Sequence, residues 1–139
     1  MRLIARCLAV DEKSADRTAY DTLVNHLLRD RHWLPVKQHV EYKLCMMVHR
    51  CLYGDAPAYL ADLITTSAAS TGRAGLRSAA SGAVAVPRTT SSFGDRSFVV
   101  AGPRAFNKLP PPLRQVHSAV TFKRQLKTFL FNNAFNGHC

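Results

Sequence analysis

Apolar residues in the first half of the chain recur at helical spacing. Tyr20, Leu23, Val24, Leu27 and Leu28 occupy positions i, i+3, i+4, i+7 and i+8, one stripe of an α-helix, and predict a helix near 19–29. Asp16 or Thr18 can cap its first turn, and Arg29 suits its last. A second helix is predicted over 35–53. Pro35 is placed to open it and Gly54 to close it in the left-handed conformation. Its stripe is Val36, Val40, Leu44, Met47, Val48 and Cys51, with Lys37, Glu41, Lys43 and Arg50 outside. At 1.5 Å per residue the rod would be roughly 28 Å long. A third, shorter helix over 57–64 has Asp55 as its cap and Tyr59, Leu60, Leu63 and Ile64 as its apolar positions.

The period then disappears. Residues 65–82 are rich in Ser, Thr, Ala and Gly and read as a linker. Gly82–Pro87 and Ser97–Val100 predict two short strands, a β-hairpin around Ser91–Asp95. Gly102-Pro103 should break the chain again, and Pro110-Pro-Pro112 should form a stiff extended spacer. Ser118 caps a final helix over 119–132, with Phe122, Leu126, Phe129 and Leu130 inward and Lys123, Arg124 and Lys127 opposite. The expected fold is mainly α: a small helical domain with an irregular Ser/Gly/Pro-rich middle and a short hairpin. Its parts are a helical segment 1–64, the linker 65–82 and a basic segment 83–139.

Charge divides the chain more sharply than hydropathy does. Residues 1–62 hold nine Lys/Arg against eight Asp/Glu, net +1; residues 63–139 hold ten against Asp95 alone, net +9. A segment so one-signed repels itself unless a polyanion neutralises it, which makes nucleic acid the first partner to consider. With 47 % apolar residues the whole is still expected to fold.

Chemistry of other kinds finds little footing. Cys45, His49 and Cys51 lie close, but no Cys-x-x-Cys or His-x-x-x-His pair accompanies them, so the reading is a buried core thiol and a helix-surface imidazole, with no metal. There is no Gly-x-Ser-x-Gly elbow, no phosphate-binding glycine loop ending in Lys-Ser/Thr, and no Asp-Asp pair to hold two metal ions. No enzyme activity and no cofactor are expected. Arg6 interrupts the apolar start of the chain, against a secretory signal, and the four cysteines are irregularly spaced. The expected location is the nucleus or cytoplasm, with free thiols.

Basic residues interleaved with rings are the remaining signal. Arg88, Phe93, Arg96, Phe98, Arg104, Phe106 and Lys108 alternate guanidinium or ammonium groups with aromatic ones. Arginine forks onto phosphates and rings stack on bases, although burial is the commoner fate of a phenylalanine. The predicted nucleic-acid contacts are Arg88, Arg96, Arg104, Lys108, Arg114, Lys123, Arg124 and Lys127. Arg88 and Arg96 would flank the hairpin turn and face one phosphate path. Six such contacts to single strands predict that log affinity falls with log salt at a slope of about −4.

Several strings carry a family likeness. Asp30-Arg-His-Trp-Leu-Pro-Val-Lys37 precedes the long apolar helix, which ends Cys51-Leu-Tyr-Gly54-Asp-Ala-Pro-Ala-Tyr-Leu60. After them come Leu76-Arg-Ser78, Val86-Pro-Arg88, Phe93-Gly-Asp-Arg-Ser-Phe98, Gly102-Pro-Arg-Ala-Phe-Asn-Lys-Leu-Pro110, Leu113-Arg114 and Phe122-Lys-Arg-Gln-Leu-Lys-Thr-Phe-Leu130. In this order and spacing, over about residues 1–131, they resemble the C-terminal region of reverse transcriptases from non-LTR (LINE-type) retrotransposons of the jockey and chicken-repeat groups. The resemblance implies a place beyond the polymerase palm, in the thumb and tail, holding template RNA and target DNA while a catalytic core elsewhere copies. That core is marked by a Phe/Tyr-x-Asp-Asp motif absent from this sequence, so no catalytic residue carries over. Arg31 stands where the family usually has Leu, His39 where it often has Arg, and Phe106 where it has Trp. Trp33 is placed to pack where the chain enters the long helix. The alternative expectation is a protein-interaction module: the apolar faces of residues 20–28, 36–52 and 122–130 would pack on a polymerase body or on a second copy.

Overall fold

A computed structural model describes residues 17–67 and 82–135, and these are mainly helical. Helix α1 spans residues 17–30. His32 ends it in the left-handed region (φ 52°), so that Trp33 N–H donates to the Leu28 carbonyl (2.8 Å) and His32 N–H to the Arg29 carbonyl (3.1 Å). That double closure satisfies carbonyls a helix end leaves open, and it normally uses glycine. Pro35 then adopts the extended backbone from which α2, Val36–Tyr53, starts. Gly54 ends α2 at φ 88°, with its own N–H and that of Asp55 both donated to the Arg50 carbonyl at 3.1 Å. Both boundaries of this helix follow the sequence expectation.

Its buried face follows the expectation in part: Val48 and Cys51 are buried and Leu44 packs beside them, whereas Val36, Val40 and Met47 are exposed. Cys45, Val48, His49 and Cys51 are the buried residues of α2, while Val36 is 82 % exposed and Val40 52 %. At 100° per residue Val36, Val40 and Met47 lie nearly opposite Cys45, so the packed face is rotated to centre on Cys45, Val48 and His49 and keeps only half of the expected stripe. The third helix, α3, is a single turn over Ala58–Ala61, and Pro57 rather than Asp55 stands at its cap. Beyond it Ile64 enters the core.

The second half departs further from expectation. There is no hairpin among the described residues. Thr66 and Val84 form an isolated antiparallel bridge, flanked by Ser67 N–H to Ala83 O (3.1 Å) and Ala85 N–H to Thr65 O (2.9 Å). Most of the predicted linker, residues 68–81, lies outside the described residues. The intended turn holds a short 3₁₀ helix, Gly94–Arg96, and the second intended strand begins helix α4, Phe98–Asn107. Gly102-Pro103 therefore sits inside a helix instead of breaking the chain. The reason is tertiary. A Cβ on Gly102 would lie 2.9 Å from Val48 Cγ2 and 3.0 Å from the Phe98 ring, so glycine lets α4 cross α2 closely. Burial along that crossing offsets the cost of a proline that can donate no hydrogen bond to the preceding turn.

Pro110-Pro-Pro112 is likewise no spacer. Pro110 is extended, and Pro111 starts a one-turn helix, α5, over Pro111–Arg114, because proline suits a first helical position. Helix α6 runs Ala119–Phe135, three residues beyond the predicted end. Ser118 Oγ accepts the Thr121 N–H at 3.5 Å, a weak version of the expected cap. Phe122, Leu126 and Leu130 are buried and Phe129 packs partly beside them, as the pattern predicts.

The core is formed where α4 and α6 pack on α2. Phe106 and Phe122 are both fully buried, ring centroids 6.1 Å apart, each stabilising the fold by about 1.5–3 kcal/mol relative to exposure. Asn107 closes the last gap. Its amide donates to the Val84 carbonyl (2.8 Å) and accepts the Val84 N–H (2.9 Å), supplying both bonds that an additional strand would have supplied.

Candidate nucleic-acid interface

The eight predicted contacts fall into separate environments. Arg88, Arg96, Lys123, Arg124 and Lys127 are exposed and have no acidic partner among the described residues. Arg104 donates to Asp95 at 3.0 Å, and the Thr89 hydroxyl donates to the same carboxylate oxygen. The Thr89 hydrogen bond, followed by the Arg104 charge, holds the Asp95 carboxyl below its usual range. The single acid of the second half thus ties the segment before the 3₁₀ turn to α4. Lys108 stands 3.9 Å from Glu41. Arg114 is buried, its Nε without a partner, while its carbonyl accepts the Tyr53 hydroxyl at 3.2 Å. It belongs to the interior and not to a phosphate-facing surface. With the hairpin gone, the shared path expected of Arg88 and Arg96 loses its basis.

Two of the cations do converge. Lys123 and Lys127, one turn apart on α6, line a cleft of about 400 Å³ whose other wall is His32, Trp33, Leu34, His39 and Tyr42. The wall follows from local structure: the left-handed turn at His32 projects Trp33 at the α1–α2 joint, and the i, i+3 pair His39 and Tyr42 continues it along α2. Trp33 is 64 % exposed, against the expectation that it packs. Behind the wall the His32 ring rests 5.4 Å from Phe131. No carboxylate lines the cleft. A second cleft of about 410 Å³ shares Trp33 and adds Val24, Leu27, Leu28 and Arg31, again with no acid. The basic–aromatic alternation noted at 88–108 also occurs at Arg31, His32, Trp33, Lys37, His39 and Tyr42, and four of these six residues line the cleft with Lys123 and Lys127.

The three phenylalanines of the 88–108 stretch divide by depth. Phe106 is buried, Phe98 partly so, and Phe93 is 87 % exposed. His49, expected on the surface, is 1 % exposed. Its Nε2–H donates to the Val116 carbonyl at 2.8 Å, and its buried Nδ1 has no hydrogen-bond partner. The ring stacks on Phe122 at 4.2 Å and 16°. Burial lowers its pKa below the ordinary 6.5, opposed by the Val116 bond and the Asp55 charge. Cys45 is a buried free thiol, as expected, and burial together with Glu41 pushes its pKa up to about 12, which leaves it unreactive. Among the described residues no group of three His, Cys, Asp or Glu side chains could hold a metal ion. Nor is any described helix long and apolar enough to cross a membrane.

No protein-family model, no curated protein and no solved structure matches the chain.

Proposed function

We propose that this chain is the non-catalytic C-terminal region of a LINE-type reverse transcriptase and that it holds RNA or DNA without sequence preference. The observation that supports it best is the surface of α6. Lys123, Arg124 and Lys127 are all exposed, meet no carboxylate among the described residues, and belong to a half-chain of net charge +9. A solvated structural helix would interleave acids with such cations. The motif series suggests the parent: its order and spacing resemble those of the family's tail, and the sequence lacks the Asp-Asp pair that polymerisation requires. With Arg114 buried and Arg104 and Lys108 beside acids, five cations remain free for phosphate: Arg88, Arg96, Lys123, Arg124 and Lys127. Log affinity for single strands should then fall with log salt at a slope of roughly −3.5. A fluorescence-anisotropy titration at several salt concentrations measures it, and a slope near zero would sink the proposal.

One observation favours a second reading, a protein-docking module. Tyr20, Leu23 and Leu27 on α1 are 67 %, 61 % and 55 % exposed, an apolar stripe left uncovered. The faces at 36–52 and 122–130 do not share that fate in full, since both contribute to the chain's own core. Salt separates the readings, because apolar docking is not weakened by it.

A further inference from the structure

We propose that the cleft between the α1–α2 joint and α6 takes an unpaired nucleotide, its base stacked on Trp33 and its phosphate between Lys123 and Lys127. The inference rests on the nucleic-acid reading above and gives it a place and a substrate form. Three features of the cleft carry it. The first is the indole: Trp33 is the chain's one tryptophan and stands 64 % exposed beside rings that leave an apolar, open wall. A large exposed aromatic surface is costly to leave in water, and base stacking covers it. The second is charge: the opposite wall contributes two ammonium groups one helical turn apart, and the cleft contains no carboxylate to neutralise them. The third is the ridge position of Trp33, which also lines the neighbouring cleft with Arg31. A strand crossing that ridge meets cations on both sides of the ring.

The combination selects for single strands. In a duplex the base faces are already stacked on one another and cannot reach an indole, whereas an extruded or unpaired base can. An acidic peptide would satisfy the lysines but would leave the ring wall uncovered.

Because Trp33 is the one tryptophan, its emission reports the cleft directly. The full-length chain is titrated with a labelled oligothymidylate, an oligouridylate, a duplex and polyglutamate, following indole emission and label anisotropy together. Either single strand should quench Trp33 in step with the anisotropy rise, and the duplex and polyglutamate should not. Trp33→Ala should weaken single-strand binding about tenfold, while circular dichroism stays unchanged because the side chain is exposed. The pair Lys123→Gln and Lys127→Gln should flatten the salt slope by about 1.4. Single-strand binding with unaltered Trp33 emission and wild-type affinity in Trp33→Ala overturns the cleft and leaves general nucleic-acid binding standing. Equal quenching by polyglutamate overturns it in favour of an acidic-peptide site. No anisotropy change with any nucleic acid at low salt overturns the cleft and the proposed function together.

Discussion

His49 shows how much a single side chain can redirect. An imidazole on a helix with polar neighbours reads as surface, yet here it is buried against Phe122, within 4.5 Å of the Tyr53 ring, and bonded to Val116. Its Nδ1 has no partner, so protonation would bury an unpaired N–H and a charge together. The linkage sign follows. The folded pKa is depressed, so below about pH 6.5 the unfolded chain takes up a proton that the folded chain refuses. Stability should therefore be full above that value and fall as the pH drops, by at most about 1.4 kcal/mol per pH unit from this group. The Val116 bond and the Asp55 charge oppose the lowering and the His117 charge adds to it, and the net direction remains downward. His49→Gln keeps an N–H donor for Val116 and cannot titrate. Urea midpoints at about pH 7 and about pH 5 should differ less in this variant than in the native chain; equal differences would contradict the assignment.

At the scale of elements, legibility tracks how local the determining chemistry is. The limits of α2 were readable because Pro35 and Gly54 act on their own backbone dihedrals. The inward face of α6 was readable because four large apolar residues repeat at helical spacing. The face of α2 was readable only in part: Val48 and Cys51 are buried as their spacing implies, but Cys45 and His49 join them while Val36 and Val40 are left outside. Helix α4 was not readable, since its Phe98-Val-Val100 start has strand propensity and its Gly102-Pro103 resembles a break. Only the crossing with Val48 makes that glycine a helical contact. Gly102→Ala would gain about 1 kcal/mol of helix propensity in isolation. Against Val48 and Phe98 the added methyl should instead destabilise the protein by a net 1–3 kcal/mol or so. Urea denaturation measures the difference, and combining the change with Val48→Ala should recover part of it through coupling at that contact. A more stable Gly102→Ala chain would refute the close crossing. The candidate site divides in the same way: the lysines of α6 were legible as charges, but the wall of His32, Trp33, His39 and Tyr42 depends on a left-handed turn at a non-glycine residue.

For the whole molecule, the internal wiring and the exposed charge are distinct sets of residues. Much of the family-like motif series is structural: Asp95 joins Thr89 to Arg104, Gly102 and Phe106 serve the core, and Asn107 holds Val84. These positions account for the fold of this chain without identifying a partner. The proposed partner rests on what the fold leaves over, the exposed cations of α6 and the ring wall opposite. The most direct test reverses that charge: Lys123, Arg124 and Lys127 each changed to Glu, followed by anisotropy with single-stranded RNA and DNA at low salt. Each of the three is exposed, so the fold should persist by circular dichroism. The account predicts loss of binding to both nucleic acids, with any self-association through the α1 stripe retained. Undiminished binding by the triple variant, with the native salt slope, would contradict it.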